Sequence, residues 1–82
     1  MTNETLNRIH CQRIGRAVEA ARRGEEVRFW IANGAIGGAR LVCGIEGRVD
    51  VIATGGRRII EQLLPQAEAE FLRQLELEPA AA

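Results

Sequence analysis

The chain has no lysine, no serine and no tyrosine, and its only histidine is His10. Without lysine there is no Gly-Lys-Ser/Thr ending. The glycine-rich stretch Gly34-Ala-Ile-Gly-Gly38 therefore reads as turn and bulge, not as a phosphate loop. One histidine and two cysteines, Cys11 and Cys43, leave a zinc site short of ligands, and there is no C-x-x-C pair. No metal, cofactor or catalytic group is expected. No apolar run is long enough to span a bilayer and no signal peptide is evident, so the reading is a cytoplasmic chain without membrane insertion. In that reducing setting both cysteines read as ordinary buried thiols. Aromatic residues amount to one Trp and two Phe, and the formal net charge is zero. Arginine beside an aromatic can stack on nucleotides, but one Trp and no net charge weigh against nucleic acid as a partner.

What is present is alanine, glycine and arginine in abundance, a bias suggesting a GC-rich bacterial or phage genome. Ten of the eleven Lys+Arg positions fall at or before Ile60, against six of the eleven acids. From Glu61 onward the balance is one arginine against five acids, so a basic amino-terminal part precedes an acidic helix. At 82 residues the chain reads as a single small α+β domain, 1–82, with 1–3 and 79–82 frayed.

The organising stretch is Ala39 to Ala53. Apolar residues alternate at Ala39, Leu41, Cys43 and Ile45, then resume on the same parity at Val49, Val51 and Ala53. This predicts a half-buried hairpin. A two-residue loop at Glu46-Gly47 would set Ile45 against Arg48 and Cys43 against Asp50, mixing the faces. A three-residue loop through Arg48 pairs Ile45 with Val49, Cys43 with Val51 and Leu41 with Ala53, and burial favours it.

Upstream, helical spacing from Glu4 to Arg23 places Leu6, Ile9 or His10, Ile14, Ala17, Val18 and Ala21 on one face. Thr2 or Asn3 would cap this helix, Glu4–Arg8 would pair along it, and Gly24 would stop it. Val27, Phe29 and Ile31 alternate as a first strand. Asn33-Gly34 predicts a two-residue turn setting Ile31 against Ile36, with a bulge at Gly37-Gly38 where the apolar phase flips; a loop from Asn33 to Gly38 is the alternative. After Thr54, a candidate cap, Ile59, Ile60, Leu63, Leu64, Ala67, Phe71, Leu72 and Leu75 form the stripe of a last helix. Pro65 should kink it or shift its register.

The fold class expected is α+β: helix, three-stranded antiparallel meander, helix, both helices on the face carrying Leu41, Cys43 and Val51. The opposite face then shows Trp30, Val42 and Ile52 rimmed by Arg28 and Arg40. An exposed apolar patch with a Trp and an arginine rim has the composition of a protein contact surface. A Cys43–His10 nucleophilic pair is the catalytic alternative; an inward-facing cysteine argues against it.

From Val27 to Leu77 the chain resembles the carboxy-terminal domain of flagellar hook-length control proteins and the related needle-length control proteins of type III secretion. The likeness rests on Ile36-Gly37, the Ala39-Arg-Leu-Val-Cys-Gly-Ile45 and Val49-Asp-Val strands, and the Ile59-Ile-Glu-Gln-Leu-Leu-Pro65 helix with Phe71. The resemblance implies a non-enzymatic export-switch module touching the cytoplasmic component of an export gate. Ile36 and Gly37 would match the family's Leu-Gly step, and Leu41, Cys43 and Ile45 the strand after it. Asn33-Gly34-Ala35 stands where the family usually has Pro-Glu before that step. The alternative expectation is a small bacterial or phage regulator or inhibitor acting through the Trp30 face, with a homodimer as one form it could take.

Overall fold

The computed structural model describes residues 4–77. The cap expected at Thr2 or Asn3 and the fraying expected at 1–3 and 79–82 lie outside the described residues. The elements run α1 (Arg8–Arg22), β1 (Val27–Asn33), β2 (Ala39–Ile45), β3 (Arg48–Gly55) and α2 (Arg57–Glu76). The strands form an antiparallel sheet in the order β1-β2-β3, the α+β meander between two helices that the sequence predicts.

α1 begins at Arg8 rather than Glu4, because Asn7 is the residue that can cap it. Asn7 is extended, its side-chain oxygen accepts the His10 N–H at 2.9 Å, and His10 Nδ1 accepts the Asn7 N–H at 3.2 Å. This reciprocal box satisfies two otherwise orphaned donors. Glu4 to Leu6 run instead beside α2: Gln62 Oε1 accepts the Glu4 N–H at 3.2 Å, and Gln66 Oε1 accepts the Leu6 N–H at 3.2 Å. The expected Glu4–Arg8 helical pair therefore does not form. At the other end Gly24, at φ 87°, stops the helix as expected.

α2 follows Gly56, and the expected cap, Thr54, belongs to β3. The helix runs unbroken through Pro65. Proline deletes the hydrogen bond to the Glu61 carbonyl, but Glu61 and Pro65 are exposed, so water can satisfy that carbonyl. At its end Arg22 Nη2 donates to the Gln74 carbonyl at 3.0 Å and to the Leu77 carbonyl, placing a cation on the helix's negative pole.

Both helices pack on one face of the sheet. Ile14, Ala17, Val18 and Ala20 from α1 and Ile60, Leu63 and Ala67 from α2 bury Leu41, Cys43, Ile45, Ile52 and Ala53. Phe29 and Phe71 meet edge to face at 5.4 Å beside this core. Each fully buried aliphatic side chain here contributes about 1.5–3 kcal/mol.

Both hairpins depart from the favoured expectation and take the other connection weighed, one with a longer loop and one with a shorter. Between β1 and β2, Ile31 pairs with Leu41 and Asn33 with Ala39, so the connection is the longer loop and Ile31 does not face Ile36. Gly34 N–H to the Gly38 carbonyl, 3.0 Å, and Gly38 N–H to the Ala35 carbonyl, 3.1 Å, close it. Between β2 and β3 the turn is the two-residue Glu46-Gly47, at φ 31° and 84°. Positive φ at both positions matches the strands' right-handed twist. Ile45 consequently pairs with Arg48, Gly44 with Val49, Cys43 with Asp50 and Val42 with Val51. A bulge at Ile52 then restores the expected Leu41–Ala53 pairing. The bulge's carbonyl accepts from Arg13 Nη1 of α1 at 2.9 Å.

Candidate functional site

The register change moves residues between faces. Ile52, expected on the open face with Trp30, is fully buried in the core, because the bulge turns it inward beside Ala53. Val51, expected in the core, is 37% exposed, and Val49 is 59% exposed. Both sit across from the open-face positions of β2: Val51 faces Val42 and Val49 faces Gly44.

The helix-free face therefore carries Trp30, Val42, Val51 and Val49. Trp30 pairs with Val42 across β1–β2, and Val42 with Val51 across β2–β3, giving one row from edge to edge. Val42 is only 2% exposed yet lies outside the helix-side cluster, so its cover comes from neighbours on its own face. Trp30, 39% exposed, lies across Gly44: a Cβ there would stand 2.6 Å from Trp30 Cζ3. A glycine in a central strand thus makes room for an indole. Arg28 and Arg40 are exposed at the rim, as expected, with Arg28 Nε 2.6 Å from Glu26 Oε1.

Val49, Val51 and Gly44 are the members that sequence parity missed. The signals were present: Glu46-Gly47 is a two-residue turn pair, and an interior strand glycine marks a close approach. Ile36 and Gly37, expected as contact residues, form the tip of the β1–β2 loop. Ile36 is fully exposed at φ 50° and Gly37 stands at φ 74°. A β-branched side chain with positive φ is a genuine outlier, costing about 1–3 kcal/mol.

The groups weighed for chemistry are accounted for structurally. Cys43 is buried; burial, with the Asp50 carboxylate second, pushes its thiol up to about 11, so it is protonated at neutral pH. His10 Nδ1 is committed to the α1 cap, and burial followed by nearby Arg13 lowers its pKa. Among the described residues no three His, Cys, Asp or Glu side chains gather as a metal ligand set. No helix among them is long and apolar enough to cross a membrane.

Comparison with known proteins returns no match, whether to a family model, to a curated protein or to a solved structure.

Proposed function

We propose that this chain is a non-enzymatic, cytoplasmic protein-binding module whose contact surface is the helix-free face of the sheet. One observation carries the reading: Trp30, Val51 and Val49 are exposed apolar side chains around the buried Val42 on a face without helix cover, with Arg28 and Arg40 beside them. Aromatic anchors ringed by arginine are the usual energetic centre of protein interfaces. The exposed, strained Ile36 offers a second apolar contact, since a partner that buries it would offset part of its cost.

The partner class follows from the resemblance to flagellar hook-length and type III needle-length control proteins: the cytoplasmic domain of an export-gate component. Supporting it, the Ile36-Gly37 step, the β2–β3 hairpin and the helix with Leu64-Pro65 follow one another in the order that likeness implies.

Titration of the chain with a purified export-gate cytoplasmic domain tests the reading, with Trp30 as the only tryptophan reporter. Binding should shift Trp30 emission to the blue, and titration calorimetry should show Trp30→Ala and Val49→Glu each weakening it about tenfold or more. Concentration-dependent self-association that both variants abolish would instead assign the face to a homodimeric regulator. Binding unaffected by either variant would remove the face from the reading.

A further inference from the structure

The two sheet edges are treated differently. At the β3 edge the Ile52 bulge interrupts the strand, and Arg13 occupies the bulge carbonyl at 2.9 Å. Such devices prevent further strand pairing. The β1 edge has neither. Its seven residues, Val27–Asn33, contain no proline, and their pairing with β2 shows no bulge. An edge strand leaves a row of N–H and C=O groups on its outer side without partners.

Beside that edge runs a groove between β1 and α2. Val27 and Phe29 meet Phe71 and Leu72 along it, with Arg28 and Glu68 at its margin. Phe29 and Phe71 are half-buried against the core, while Leu72 is 56% exposed. The charges are unequal. Arg28 is already bonded to Glu26, whereas Glu68, exposed on α2, has no ion-pair partner among the described residues.

We infer that an extended peptide segment of a partner protein docks here as a fourth strand on β1. It places an apolar side chain in the groove against Phe71 and Leu72, and a basic side chain against Glu68. The free edge requires an extended backbone, the groove an apolar residue at alternate spacing, and the unpaired Glu68 carboxylate a cation. A second copy of this chain fits less well. The Val27, Phe29 and Ile31 side chains of its β1 are already packed on its own core and cannot enter the groove. The two surfaces share β1, but the groove lies on the helix side of the sheet while Val49 and Val51 lie on the open side, so each reading can fail without the other.

Three sets of fluorescently labelled heptapeptides with alternating apolar residues test it on the full chain: arginine-flanked, glutamate-flanked, and arginine-flanked with alternate backbone amides methylated. The arginine set should bind about tenfold tighter than either of the others. Amide shifts should map to Val27–Asn33 and to Glu68, Phe71 and Leu72. Leu72→Ala should weaken binding about tenfold, and Glu68→Arg should reverse the charge preference. The inference is overturned by absent binding, by equal affinity for the charge-reversed or methylated sets, by shifts confined to Trp30, Val49 and Val51, or by β1-to-β1 pairing of two copies.

Discussion

The Trp30 indole lies so close over Gly44 that a Cβ at residue 44 would stand 2.6 Å from Cζ3 and 2.7 Å from Cη2. The open face is thus built around a glycine that the ring requires. Because the obstructing atoms are the far end of a half-exposed side chain, Gly44→Ala should displace the ring rather than break the sheet. The expected result is a red-shifted, more quencher-accessible Trp30 emission, with a melting temperature lowered by no more than a few degrees. A large loss of fold without change in emission would contradict this packing.

Core and surface should separate cleanly under truncation. Leu41→Ala, at a fully buried position under both helices, should cost about 2–5 kcal/mol. Leu64→Ala, at a partly buried position, should fall at or below the lower end of that range. Trp30→Ala should cost markedly less than Leu41→Ala. Urea midpoints of the three variants, compared with the unsubstituted chain, check the order.

The two thiols should differ sharply in reactivity. Cys43 is buried and its pKa is raised to about 11, whereas Cys11 is only partly buried and its rise, from burial and then Glu70, is opposed by Arg73. Near pH 7.5 a thiol-specific chromogenic disulfide should modify Cys11 in the folded chain. Cys43 should react only at the rate of global unfolding. Mass-mapped time courses would show the reverse order if Cys43 were open to solvent.

Stability should fall with acid in two windows. Hydrogen bonds from Arg73 and Gln74 hold the Glu70 carboxyl at about 2, with Arg73 Nη2 2.8 Å and Gln74 Nε2 2.7 Å from Oε2. A depressed carboxyl contributes stability that is complete above its unfolded value of about 4.3 and is lost as pH falls towards 2. The lowered pKa of His10 has the same sign: its contribution is complete above about 6.5 and declines as protonation removes the Nδ1 acceptor of the α1 cap. Denaturant midpoints across pH should lose the acid window in Glu70→Gln and the milder one in His10→Ala. An unchanged profile in Glu70→Gln would show that the carboxyl is not held by these partners.

Local chemistry was enough to place the helices, the three strands and their order, because periodicity, Gly24 and the Gly-rich breaks act on neighbours in sequence. It also placed Trp30, Val42, Arg28 and Arg40 on the face away from the helices. The hairpin registers were decided only in the tertiary structure. Apolar alternation at Val49 and Val51 pointed inward, but Glu46-Gly47 could turn in two residues with the twist the strands need, and that shifted both valines outward. The conflict is resolved at Ile52, where a bulge returns Ile52 and Ala53 to the core. The bulge is supported by Arg13, thirty-nine residues away in sequence, whose guanidinium reaches the freed carbonyl. No pattern within β3 could announce that donor. The start of α1 has a similar cause: Glu4 and Leu6 can leave the helix because Gln62 and Gln66 of α2 take up their backbone groups. Where a backbone group found its partner across the fold, the sequence alone could not choose the register.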